Sequence, residues 1–143
     1  MKRIFSMLLL AVLSATLVPA VYAQGGCTNA TLNGNYGFSL SGFASPVTPK
    51  KGAQPWAVTG VLNLDGAGNI SASYAGSING GVFTAQTTSG TYTVNSDCTG
   101  SIAFTSGDAA GLTANMAIIG GGTEIFFVST QAHTTATGDA KKQ

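Results

Sequence analysis

Two cysteines, Cys27 and Cys98, and one histidine, His133, bound the covalent and metal chemistry open to this chain of 143 residues. A zinc site needs three or four nitrogen or sulfur ligands, and if the cysteines pair with each other only His133 is left. No metal site and no cofactor are therefore expected. His133 lies in the polar ending TQAHTTATGDAKKQ, where a solvated position is the expectation, and no G-x-S-x-G elbow accompanies it. Asp65, Ala67 and Asn69 imitate the opening of a calcium loop, but Ala67 stands where an oxygen ligand belongs and no glutamate follows at the closing position. They read as a turn. None of the glycine-rich turns opens a helix or is followed by a lysine, which removes a phosphate cradle. Glu124 and Asp97 are the acids set within predicted strands or at their ends. No catalytic residue is assigned, and an enzymatic role is disfavoured.

The compartment decides what the cysteines do. Lys2 and Arg3 precede an apolar run, Ile4 to Val18, and Val21-Tyr22-Ala23 supplies the small or aliphatic residues a signal peptidase needs. Residues 1–23 read as a signal peptide cut after Ala23, the run being short of the ~20 apolar residues that span a bilayer. The expectation is a secreted or periplasmic protein with no transmembrane segment after processing. There, two cysteines are most simply a Cys27–Cys98 disulfide. Closing a loop of ~70 residues would contribute about 4 kcal/mol on the chain-entropy estimate.

Past the leader the chain keeps Lys50, Lys51, Lys141 and Lys142 against Asp65, Asp97, Asp108, Glu124 and Asp139, a net charge of −1 with no arginine. Binding to nucleic acid requires a clustered basic surface, so no nucleic-acid partner is expected. The remaining 120 residues suit one domain, placed at 24–130 and followed by a flexible polar tail, 131–143.

Period-2 alternation dominates that domain. Tyr36, Phe38 and Leu40 share one face; Trp56, Val58, Leu62 and Leu64 share another, as do Ile70, Ala72, Tyr74 and Ile78. Further strands are predicted over Val82 to Thr88, Thr91 to Asn95, Gly100 to Thr105, Leu112 to Ile119 and Glu124 to Thr130. Between them stand Asp65-Gly66-Ala67-Gly68-Asn69, Asn79-Gly80-Gly81, Ser89-Gly90, Ser96 to Gly100, Ser106-Gly107-Asp108 and Gly120 to Gly122, residues that tolerate the positive φ of tight hairpins. The long break FASPVTPKKGAQP reads as a loop. D-x-x-G-x-I occurs twice, at Asp65 to Ile70 and Asp97 to Ile102, as one hairpin type used twice. Eight sequential antiparallel strands have edges to hide. Pairing Ile125 to Val128 with Tyr36 to Leu40 closes them into a single up-and-down β-barrel; a two-sheet β-sandwich is the alternative.

GNYGFSLSG, the G-x-L-x-L-D-G-x-G-N turn and GTYTVNSDCTG resemble a group of small secreted bacterial proteins, and the strand layout is similar to the dirigent and allene-oxide-cyclase type of eight-stranded, calycin-like barrel. The resemblance spans most of Leu32 to Val128. It implies an apolar interior able to hold a small hydrophobic molecule, and carries over no catalytic residue. Tyr36, Phe38, Trp56 and Tyr74 are the candidate ligand-binding residues, with Trp56 at a mouth beside the Pro-rich loop. In Glu124 to Val128 both faces of one strand are apolar, which marks Ile125 to Val128 as a surface for a homo-oligomer. Three functions follow as expectations: a secreted non-enzymatic barrel binding a small apolar ligand or a protein partner; a structural or surface-interaction protein with a filled core; and a cyclase-like or dirigent-like enzyme, which would need a polar group inside the cavity.

Overall fold

The computed structural model describes residues 26–44 and 52–143. The expected signal peptide and the centre of the Pro-rich loop lie outside the described residues. A 3-10 turn, Asn29–Thr31, is followed by β1 (Asn33–Ala44), β2 (Gln54–Asp65), β3 (Asn69–Ile78), β4 (Gly81–Val94), β5 (Thr99–Gly107), β6 (Thr113–Ile119), β7 (Glu124–Ser129) and β8 (Thr134–Lys142). Each strand pairs antiparallel with the next, and β8 returns to β1, so the sheet is a closed up-and-down barrel and the sandwich is excluded. The exterior is rich in exposed Ser, Thr and Asn, such as Ser39, Thr59, Asn63, Ser73, Thr93 and Thr137. That is the reverse of a lipid-facing apolar wall.

The eighth strand is not the one the sequence suggests. Val82 to Thr88 and Thr91 to Asn95 are parts of one strand, β4, and the closing strand is drawn from the segment expected to be a flexible tail. Gly90 misled the reading because a glycine between two apolar runs looks like a turn. In the structure it faces inward, where a Cβ would sit 2.7 Å from the Phe104 Cα. A bulge near Ala85, at φ +56, also reverses the side-chain parity of β4, so that Phe83 and Thr88 both line the interior. The expected tail is strand because Ala136, Gly138 and Ala140 point inward and Thr135, Thr137 and Lys141 outward. The alternation is real but its apolar members are small. They have to be small, because β8 runs between Phe38 and Leu40 of β1 and Ile125 and Phe127 of β7. Closure of β7 directly on β1 is thereby corrected: β8 stands between them. The ends of the Pro-rich break are also strand, with Phe43 opposite Pro55 and Ala44 opposite Gln54.

One end of the barrel is closed. The segment before β1 crosses it, with Leu32 fully buried, and is tied to β4 by hydrogen bonds and to the β4–β5 turn by a disulfide. The Tyr92 hydroxyl donates to the Leu32 carbonyl at 2.8 Å, the Tyr36 hydroxyl donates to the Gly122 carbonyl at 2.6 Å, and the Val94 N–H donates to Asn29 Oδ1 at 2.8 Å. Cys27 and Cys98 form a disulfide with Cα atoms 5.0 Å apart. Above this plug Tyr36, Leu64, Ile70, Tyr92, Met116 and Ile125 fill the interior.

The two D-x-x-G-x-I segments both turn at this end but in different registers, Leu64 pairing with Ile70 and Val94 with Gly100. Asp65 ends β2 whereas Asp97 stands inside its turn, so one hairpin type used twice is corrected. Asp65 Oδ1 accepts from the N–H groups of Ala67, Gly68 and Asn69, and Asp97 Oδ1 accepts from the Thr99 N–H and hydroxyl. The residue after each aspartate is left-handed, Gly66 at φ +76 and Cys98 at φ +64. A glycine suits that backbone and a cysteine does not. The cysteine is held there by its bond.

Three outcomes test this description. Deleting residues 131–143 should abolish the cooperative thermal transition, since β1 and β7 would both be left with open edges; a variant melting like the full chain would restore the tail. The double substitution C27A/C98A should lower stability in urea by about 4 kcal/mol, and C27A/C98G should recover about 1 kcal/mol of it, because only glycine adopts positive φ without cost. Equal stability of the two variants would contradict the left-handed turn. The third concerns acid. The Asn69 side chain, followed by the backbone N–H groups, lowers the Asp65 carboxyl from 3.8 to about 2. Its contribution is present in full above pH 3.8 and lost as pH falls through about 2. Asp65→Asn should flatten that acid limb in melts recorded against pH.

Candidate functional site

The opposite end of the barrel is open, and its interior is incompletely filled. Strands β1 to β4 are 12, 12, 10 and 14 residues long, whereas β6 and β7 have 7 and 6, so the first half of the wall overhangs the second. Within the overhang lies a cavity of about 330 Å³. Its floor is Phe38, Leu40 and Phe104, its long wall Trp56, Val58, Tyr74 and Phe83, and its short side the turns that carry Leu112 and Gln131. A smaller space of about 70 Å³ continues below the same floor residues toward Leu62, Ile102 and Phe127. An eight-stranded barrel is usually just wide enough for its side chains to fill. Here the filled half lies against the plug and the hollow half against the mouth.

The hollow follows from small residues pointing inward. Gly42, Gly60, Gly76, Gly90 and Gly138 occupy interior positions in the upper half, and at each a Cβ would collide with the adjacent strand. Each lies beside a bulky partner in the ladder: Gly42 beside Trp56, Gly60 between Phe38 and Tyr74, Gly76 beside Phe83, Gly90 beside Phe104, and Gly138 beside Leu40. Every one of those partners lines the cavity. The bulky side chains lean over the glycines, leaving the axis of the upper barrel empty.

Of the four residues singled out from the sequence, Phe38, Trp56 and Tyr74 share this cavity, while Tyr36 belongs to the closed end, where its hydroxyl anchors Gly122. Tyr36 and Phe38 have the same parity, so alternation could not distinguish them. Depth along the barrel does. Sequence reasoning missed Leu112 and Gln131 because they belong to turns, and the Ala85 bulge is what turns Phe83 inward beside them. Phe126 and Val128 are exposed on the outer face of β7, at 44% and 48%. His133, at φ +63, is exposed in the turn between β7 and β8.

The cavity has few polar groups. Thr88 is satisfied by donating to the Ser106 carbonyl at 2.6 Å. Tyr74 packs edge-on against Phe83, ring centroids 6.1 Å apart. Burial, and then the neighbouring Asp108, raise its phenol above the ordinary value of 10.0. It is a neutral donor at physiological pH, never a base. Asp108 itself accepts from the Thr87 N–H at 3.2 Å. Two atoms stand out. Trp56 Nε1 and Gln131 Oε1 are buried and have no hydrogen-bond partner among the described residues, and both side chains line this cavity. An unsatisfied buried donor or acceptor costs about 1–3 kcal/mol. Among the described residues no cluster of three or more His, Cys, Asp or Glu could hold a metal ion, and no helix is long and apolar enough to cross a membrane.

No protein-family model matches the chain, and no curated protein matches it. Two solved structures are similar to it. A redesigned β-barrel, b11L5F_LGL, shares 14% identity at a TM-score of 0.50, over 80% of this chain and 94% of that one. A second redesigned barrel, mFAP1, solved bound to DFHBI, shares 16% identity at a TM-score of 0.50, over 80% of this chain and 97% of that one. At these identities the likeness is one of fold: the chain is similar to both as a closed antiparallel barrel.

Proposed function

We propose that this chain is an exported, non-enzymatic barrel that takes a small apolar molecule into its open end. The observation that carries the reading is the cavity of about 330 Å³, walled by Phe38, Leu40, Trp56, Tyr74 and Phe83, in a barrel whose other half is filled and covalently stapled. Sites for small molecules are concave, mostly apolar, largely preformed and about 300–1,000 Å³ in volume. The mFAP1 barrel was solved with a small molecule, DFHBI, which supports a barrel of this fold as a host for one. Export is supported by the Lys2 to Ala23 pattern and by a disulfide, which persists in oxidising compartments. Catalysis is the weaker reading, since the titratable side chains lining the cavity are Tyr74, held neutral, and Asp108, engaged with Thr87.

N-phenyl-1-naphthylamine, a neutral apolar fluorophore, should bind with one site per barrel and a rise in emission. Leu112→Trp, which adds bulk from a turn rather than a strand, should weaken binding by about tenfold or more, the scale set by losing a few apolar contacts. Its melting temperature should stay within a few degrees of the parent. Phe126→Ser, on the outer wall, should leave binding unchanged. Full affinity in Leu112→Trp, or loss of binding in Phe126→Ser, would overturn the cavity as the site.

A further inference from the structure

Among the described residues one side chain lining the cavity is charged, and it is an acid. Asp108 stands in the turn between β5 and β6, where its N–H donates to the Thr87 carbonyl at 3.0 Å and its Oδ2 accepts from the Thr87 N–H at 3.2 Å. These two bonds pin the residue against β4 and leave it exposed at the mouth, close enough to Tyr74 to act on its phenol. No lysine or arginine lines the cavity, and the ion pair among the described residues joins Lys141 to Glu124. Around the carboxylate stand aromatic rings: Phe38, Trp56, Tyr74, Phe83 and Phe104 all line the same space. Tyr74 and Phe83 meet at 86°, so two walls stand at nearly a right angle. We propose that the ligand carries, on its apolar body, a cationic ammonium group that sits at the mouth between the Asp108 carboxylate and the aromatic wall. The inference rests on the cavity being the binding site.

An ammonium group is drawn by both features, the carboxylate through its charge and the rings through the negative potential of their faces. A carboxylate on the ligand is drawn by neither. The neutral polar groups of the wall do not choose between them, because the Thr88 and Thr134 hydroxyls and the Gln131 amide each offer a donor and an acceptor. Asp108 alone gives the mouth a sign. Its place at the rim also fits: a cation carried down to the floor of Phe38, Leu40 and Phe104 would lose its water for nothing polar, and that cost exceeds what rings alone return. Beside an exposed carboxylate it keeps part of its hydration while the apolar body enters the barrel. The turn does not itself call for a charge, since asparagine would accept from the same Thr87 N–H.

Three compounds with one naphthyl body test the sign: 2-naphthylmethanol, 2-naphthylmethylammonium and 2-naphthoate, each displacing N-phenyl-1-naphthylamine from the full chain. At low ionic strength the ammonium should compete at concentrations about tenfold lower than the alcohol, the combined scale of one exposed charge pair and one cation–π contact. The carboxylate should compete less well than the alcohol. The readout is the ratio of ammonium to alcohol within one protein, so any change in apolar affinity common to both cancels. Asp108→Asn should cut that ratio to about threefold or less, the aromatic share alone. Asp139→Asn, which removes the same charge away from the cavity, should keep the parent ratio. Salt at about 1 M, where the Debye length is ~3 Å, should shrink the ratio in the parent, and this measurement carries the test if Asp108→Asn fails to fold. A parent ratio near one, a carboxylate that competes best, or a ratio indifferent to both Asp108→Asn and salt would overturn the ammonium and leave the cavity reading standing. If none of the three displaces the fluorophore, both fail.

Discussion

Eight strands close into a narrow cylinder only where the backbone can bend inward, and the rest of this structure depends on how that bend is made. A Cβ at Gly42, Gly60, Gly76, Gly90, Gly100 or Gly138 would overlap the adjoining strand, and all six point to the interior. Removing a side chain at such positions lets neighbouring strands approach and the sheet turn a corner, and a large residue alongside covers the exposed glycine. The same device sets the void. Each inward glycine in the upper half removes side-chain volume beside the axis, and its bulky neighbour covers it from the side rather than from above. Curvature and cavity have one cause.

The two ends divide the work. At the closed end the Tyr92 hydroxyl fastens the N-terminal segment to β4, the Tyr36 hydroxyl fastens β1 to the turn between β6 and β7, and the Cys27–Cys98 bond locks the N-terminal segment to the turn between β4 and β5. Almost every side chain there is buried. At the mouth the ring Trp56, Tyr74, Phe83 and Leu112 is only half-buried. A barrel can leave apolar surface accessible at one end when the other supplies enough packing to hold it together. The disulfide therefore bears on the mouth without touching it.

Much of this was legible in the sequence, and what was not has physical reasons. Parity placed Tyr36, Phe38, Trp56 and Tyr74 on the inner face, and hairpin chemistry placed most of the turns. Alternation carries no information about height along the axis, so Tyr36 could not be separated from the cavity residues. Gly90 read as a turn because a curvature glycine and a turn glycine are the same residue. β8 read as a tail because the closing strand has to fill little space, and Ala136, Gly138 and Ala140 barely register as an apolar face. The repeated D-x-x-G-x-I was visible as a pattern, but the register that separates its two copies, Leu64 with Ile70 and Val94 with Gly100, was not. That Trp56 and Gln131, 75 residues apart, line one cavity left no local signal at all.

The balance between a packed barrel and a binding barrel comes down to the same two side chains. A barrel selected for stability alone gains nothing from an indole N–H and an amide oxygen buried without partners, each costing about 1–3 kcal/mol when unpaired. Phenylalanine at Trp56 would keep the aromatic cover over Gly42 and remove the unpaired donor. A shorter polar residue in the turn at Gln131 would return its oxygen to water. The chain instead carries both groups on side chains that line the cavity at the open end. Local rules of burial are broken most often where a site is held ready for a partner. In a molecule whose filled half obeys them closely, down to the tyrosine hydroxyls, the exceptions collect at the mouth.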